Sequence, residues 1–180
     1  MSLMTKKLLV LLIICITFSS CSRPISRENE VIGMVLQHVF DLSGSTSMLQ
    51  TIDQGQSQVF PSESKVLEEQ SSSGFDSQLS HLYQSYFTEK GYTDFVNNRY
   101  PLKYILQAKS SDCTLKIAKL HIEQDKKNLN YYTFTCDILI TFHNNDTLTV
   151  QENGTALFEG DNTNKVISTF WLSENCLGKM

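Results

Sequence analysis

A thiol acts as nucleophile, metal ligand or disulfide partner only where its neighbours allow it. The five cysteines of this 180-residue chain differ in their neighbours. Cys15 lies within an apolar run, and Cys21 directly follows Ser19 and Ser20. Cys113, Cys136 and Cys176 are left, an odd number at wide spacing and without a CxxC pair. Cys136 falls on the apolar face of a predicted strand and reads as a buried thiol. A bridge between Cys113 and Cys176 stays open for a chain outside the cytoplasm. His38, His81, His121 and His143 show no ligand spacing, so no metal site is expected. The chain has no glycine-rich phosphate loop, HExxH or GxSxG, and no cofactor is expected. Glu152 is the carboxylate of interest. It shares parity with Val150 and Ala156, so an uninterrupted strand would turn it to the buried side. The following Asn153-Gly154 could instead mark a bulge, or a hairpin turn that splits the run. Asp137 and His121 fall on the wet side of their strands.

The first residues set the compartment. Lys6 and Lys7 precede Leu8 to Phe18, eleven uncharged residues with the size of a signal-peptide h-region. A bilayer span takes roughly 20 apolar residues, so the run is too short to cross one comfortably. Ser19, Ser20 and Cys21 then resemble the lipobox of bacterial lipoproteins, although Phe18 stands where that family usually has an aliphatic residue. The resemblance implies cleavage before Cys21 and a diacylglycerol, with palmitate-type chains, on its thiol. One acyl chain holds a protein only marginally, whereas two anchor it. The expected organisation is a signal peptide at 1–20, a short tether at 21–27 and a single domain at 28–176. The expected location is the extracytoplasmic side of a cell membrane, held by lipid on Cys21. Residues 1–20 contain two lysines and no acid, so their removal takes the formal charge from −4 to −6. An acidic domain is a poor fit for nucleic acid or for anionic headgroups, and no nucleic-acid partner is expected.

Beyond the tether, Ser26 is placed to cap a first helix, with Glu28 and Glu30 in its first turn. Ile32, Val35, Leu36 and Val39 recur at helical spacing. Residues 43–60 read as a polar loop, and Pro61 opens a short helix. Phe75, Leu79, Leu82, Tyr83 and Tyr86 predict a stronger helix ended by Gly91. Thr93 is expected to cap a short turn that Pro101 ends, with Tyr104 to Leu106 as an apolar connector. Four strand-like runs follow at Cys113 to Glu123, Tyr131 to Phe142, Thr147 to Phe158 and Lys165 to Leu172. In the second, Tyr132, Phe134, Cys136, Ile138, Ile140 and Phe142 share one face, so one side is buried and one wet. The first changes phase near Ile117, as a bulge would cause.

Helices followed by an antiparallel meander make an α+β layout. The expectation is N-terminal helices packed against a curved antiparallel sheet of four or more strands, cone-like. Residues 75 to 172, with FTEKGYTDFVNN before the sheet and GDNTNKVISTF into its last strand, resemble the nuclear transport factor two-like fold shared by SnoaL-like proteins. Enzymes on that fold use an acid, a tyrosine or a histidine inside the cone. The resemblance therefore makes Tyr83, Tyr104, Tyr132 and Glu152 candidate ligand-binding residues. At helical or strand spacing the tyrosines also read as core aromatics with a satisfied hydroxyl. No catalytic residue is assigned. The leading expectation is a non-catalytic surface lipoprotein that binds an envelope protein or a small ligand. The alternatives are an isomerase or dehydratase with an apolar pocket, and an immunity or exclusion lipoprotein.

Overall fold

A computed structural model describes residues 26–41, 76–161 and 164–180. The loop expected at 43–60, the short helix after Pro61, the signal segment and Cys21 lie outside them. Helix α1 spans Arg27–Phe40. Ser26 caps it, its hydroxyl accepting from the Asn29 amide at 3.2 Å, and Glu28 and Glu30 occupy the first turn. Ile32, Val35, Leu36, Val39 and Phe40 form its buried stripe. The helix closes at Asp41, whose amide bonds the Gln37 carbonyl at 2.7 Å.

The middle of the chain divides differently from the expectation. Residues 76–83 are helical, a single 3-10 turn covers Gln84–Tyr86, and Phe87 pairs with Ile167 in an isolated parallel bridge. Helix α2, Glu89–Asn97, then starts at Thr88, whose hydroxyl accepts from the Gly91 amide at 3.0 Å. Gly91 therefore lies inside a helix and does not end one, and Thr88 takes the capping role expected of Thr93. Gly91 meets a packing need: a Cβ there would stand 2.6 Å from the Ile167 carbonyl oxygen. Helix α3, Tyr100–Ser110, replaces the expected connector. Pro101 sits in its first turn, where the missing N–H leaves no helical bond unmade, so it opens a helix instead of ending a turn. Arg99, in the left-handed conformation (φ 57°), makes the corner between α2 and α3.

The sheet follows the expected runs closely. Strands β1 (Cys113–Gln124), β2 (Tyr131–Phe142), β3 (Thr147–Glu159) and β4 (Val166–Leu172) form one antiparallel sheet in the order β1-β2-β3-β4. The β1–β2 register shifts between Ile117 and Lys119, which accounts for the phase change. Asn153-Gly154 marks neither a bulge nor a turn, because pairing runs unbroken from Tyr131↔Leu157 to Thr141↔Thr147. The irregularity in β3 lies at Leu157/Phe158, against β4. Gly154 is instead the seat of an aromatic ring: a Cβ there would overlap the Phe134 ring and the Trp171 carbonyl.

Helices α1 and α3 pack on β1 and on each other, and α2 packs on β4. Between helices and sheet lies an aromatic core. Phe95 meets Tyr83, Phe87 and Phe170 at centroid distances of 5.0, 4.8 and 5.7 Å. Phe134 stacks on Phe170 at 5.4 Å, and Phe40 meets Tyr104 edge-on at 4.7 Å. These spacings fall in the range that aromatic pairs favour. No helix among the described residues is long and apolar enough to cross a membrane.

Candidate functional site

Since β3 is continuous where it pairs with β2, the parity of Glu152 holds, and the residue is fully buried. A buried carboxylate without partners costs several kcal/mol. Glu152 has three. The Tyr104 hydroxyl, from α3, donates to Oε1 at 3.1 Å, and the Ser173 hydroxyl donates to Oε2 at 2.7 Å. The backbone amide of Cys176 donates to Oε1 at 2.5 Å. Ser173 and Cys176 belong to the segment after β4. Ser173 exchanges backbone and side-chain bonds with Asn153, Asn175 Nδ2 donates to the Gln151 carbonyl, and Glu174 (φ 59°) turns the chain back. Lys103 of α3 pairs with Glu174 at 2.6 Å. The carboxylate thus ties β3, α3 and the C-terminal segment together.

Two thiols flank it. Cys136 stands directly across from Glu152 on β2, and Cys176 contributes its amide. Both are buried, and neither they nor the half-buried Cys113 forms a disulfide, so the bridge between Cys113 and Cys176 left open by the sequence is not formed. Burial, then the Glu152 charge, pushes the Cys136 thiol up to about 12. The same two causes raise Cys176, with a thiol hydrogen bond to Glu152 as a third. Burial and the Glu152 charge likewise hold the Tyr104 phenol well above its ordinary value. Thiolate is the reactive form of cysteine, so this surrounding keeps both thiols inert.

Of the four candidate residues, the structure brings together Tyr104 and Glu152. Tyr132 pairs with Ala156, four residues along β3 from Glu152, roughly 13 Å at strand spacing. Its ring meets Phe158 at 5.3 Å, and its hydroxyl is shared by Gln124 and Ser26. Tyr83 lies between His38 and Phe95, and its buried hydroxyl has no hydrogen-bond partner among the described residues. Cys21 lies outside the described residues. Asp137 is half-exposed and His121 exposed, as their parity requires. The sequence pattern missed Ser173 and the Cys176 amide. A backbone N–H leaves no mark in residue type, and the segment after β4 has no periodicity to read.

Chemically, the arrangement is a filled acceptor. A carboxylate offers about four lone-pair sites, and the Tyr104 and Ser173 hydroxyls with the amide and thiol of Cys176 occupy them. Surface depressions bounded by described residues lie along α3 (Lys103, Leu106, Lys109, Leu177), between α1 and β1, and beside Arg99. Glu152 lines none of these. No group of three metal-ligating side chains occurs among the described residues. No family model, no curated protein and no solved structure matches the chain.

Proposed function

We propose that this chain is a lipid-anchored protein of the extracytoplasmic membrane face that works by binding a partner there, not by catalysis. The anchor rests on the sequence around Cys21: two lysines, an eleven-residue apolar run and two serines before the cysteine. The binding role rests on Glu152. A general base needs a free lone pair within reach of substrate. Here Tyr104, Ser173 and Cys176 take up the one fully buried carboxylate among the described residues, and aromatic rings fill the space between helices and sheet. The order of helices before a four-stranded meander is what supports a nuclear transport factor two-like domain in this reading.

Metabolic labelling with an alkyne-bearing palmitate analogue tests the anchor. The wild-type chain takes up label and sediments with membranes, and Cys21→Ala loses both properties. Crosslinking in the native membrane then recovers a reproducible envelope partner. Full-length, unlabelled protein in the cytosol would defeat the proposal. The isomerase-type alternative draws on the Tyr104–Glu152 contact. It requires the C-terminal segment to leave, and it predicts that a small carbonyl ligand competes with that segment for Glu152.

A further inference from the structure

The lipid on Cys21 would set a short leash, and the structure shows where the leash ends. Five Cα steps separate Cys21 from Ser26, so the fully extended span is roughly 18 Å. Ser26 is not at an arbitrary place on the domain. It shares a hydrogen bond with the Tyr132 hydroxyl, which also accepts from Gln124 Nε2 at 3.0 Å. The same Gln124 amide donates to the Leu129 carbonyl at 2.6 Å. The start of α1 therefore adjoins the β1–β2 hairpin, residues 125–130. Antiparallel topology puts the β2–β3 turn, residues 143–146, at the opposite end of the sheet.

That hairpin is closed by its own hydrogen bonds and carries one exposed apolar residue among polar ones. The Asp125 carboxylate accepts from the amides of Lys127 and Asn128, both at 2.7 Å. The Asp125 amide bonds the Tyr131 carbonyl, and the Tyr131 amide bonds the Asn128 carbonyl, both at 2.9 Å. On this fixed backbone Leu129 is 62% exposed, more than any other large exposed hydrophobic of the described residues. A single exposed leucine is ordinary on a protein surface. What distinguishes Leu129 is that it sits beside the residue from which the tether leaves.

We propose that the β1–β2 hairpin is a second membrane contact, with Leu129 inserted into the outermost layer of the lipid that holds Cys21. The inference rests on the anchor reading. Its chemistry is apolar, not electrostatic. Lys126 and Lys127 on the hairpin stand beside Asp125 and Glu123, and Lys165 is paired to Glu28 at 3.3 Å, so this end carries no excess of basic groups to favour a charged headgroup. The partner is a phospholipid surface as such, and contact persists in high salt, which screens charge but not apolar burial.

The test uses the lipidated full-length mature protein in vesicles of phosphatidylethanolamine and phosphatidylglycerol. A nitroxide is attached at Leu129→Cys or, as the far-end control, at Asn144→Cys, each in a Cys113→Ser background. At position 129 the probe is relaxed by dissolved oxygen and shielded several-fold from an aqueous nickel chelate, at low and at high salt. At 144 it is open to the chelate. Equal chelate access at the two positions, or shielding at 129 that salt abolishes, overturns the inference. The mass of the N-terminal peptide separates the two readings. An acylated Cys21 with a water-exposed 129 removes the hairpin contact alone, whereas an unmodified Cys21 removes the anchor and the contact together.

Discussion

Glu152 shows how one buried carboxylate is tolerated: its donors come from α3, from the residue after β4, and from the amide and thiol of Cys176. Truncation would leave those donors buried and unpaired. Glu152→Ala is expected to lower stability by roughly 3 kcal/mol in urea denaturation. Glu152→Gln keeps an acceptor oxygen but turns an NH2 toward a donor, and it should lose less. A variant as stable as wild type would show that the carboxylate is not a structural tie. The thiol beside it makes a pH signature. The Cys136 thiol ionises near 9 when unfolded and at about 12 when folded, because burial and Glu152 disfavour the thiolate. Its stabilising contribution is therefore complete below pH 9 and is lost as pH rises from 9 toward 12. Tyr83 and Tyr104, also raised by burial, act in the same direction above pH 10. Denaturation midpoints should fall between pH 9 and 11, and those of Cys136→Val should fall less steeply. Identical slopes for the two proteins would exclude Cys136 as the source.

Elements in this fold are fixed as much by where backbones touch as by periodicity. Gly91 lies in α2, where alanine would normally add about 1 kcal/mol of helix propensity. Its Cβ, however, would meet the Ile167 carbonyl at 2.6 Å and the Ser168 carbonyl at 3.0 Å. Backbone in a paired strand does not yield cheaply, so overpacking outweighs propensity. Gly91→Ala should be destabilised by about 2 kcal/mol, read as a lowered melting temperature. Thr88→Ala, which removes only the cap, should cost about 1 kcal/mol. If Gly91→Ala instead raised the melting temperature, the α2–β4 contact would be looser than described. The same contact explains what the sequence hid. The strands were readable because Tyr132 to Ile140 alternate on a face that is buried on one side only, and α1 because Ser26 and its apolar stripe agree. The middle helices were not. Gly91 and Pro101 are local stop signals by type, and both are overridden by tertiary placement: Gly91 by β4, Pro101 by its position in the first turn of α3. Half of the Glu152 site was visible for the same reason. Strand parity turned Glu152 inward only if β3 ran on through Asn153-Gly154, and spacing marked Tyr104 as core, whereas the donors beyond β4 depend on a chain reversal at Glu174 that no pattern announces.

Taken as one body, the domain has two ends joined by four antiparallel strands. The start of α1 and the 125–130 hairpin share one end. The junction of α3 with β1 at Asp112 and the 143–146 turn share the other. On the anchored reading this polarity fixes what faces the bilayer and what faces outward, where α3 ends. The tether length then becomes a structural variable. For a Gly/Ser-type coil the r.m.s. span grows from about 12 Å at five residues to about 28 Å at twenty-five. Local concentration of the tip at the lipid falls roughly as the −3/2 power of length, so a twenty-residue Gly/Ser insertion after Ser22 dilutes the hairpin by about tenfold. A single leucine supplies too little apolar area to hold the surface by itself, since complete burial of such a side chain is worth only about 2 kcal/mol. Tether and tip must therefore act together. The lengthened protein should remain membrane-bound through Cys21 while a nitroxide at Leu129→Cys regains access to the aqueous nickel chelate. Shielding that survives the insertion would mean that the short leash is not what presses the hairpin to the membrane.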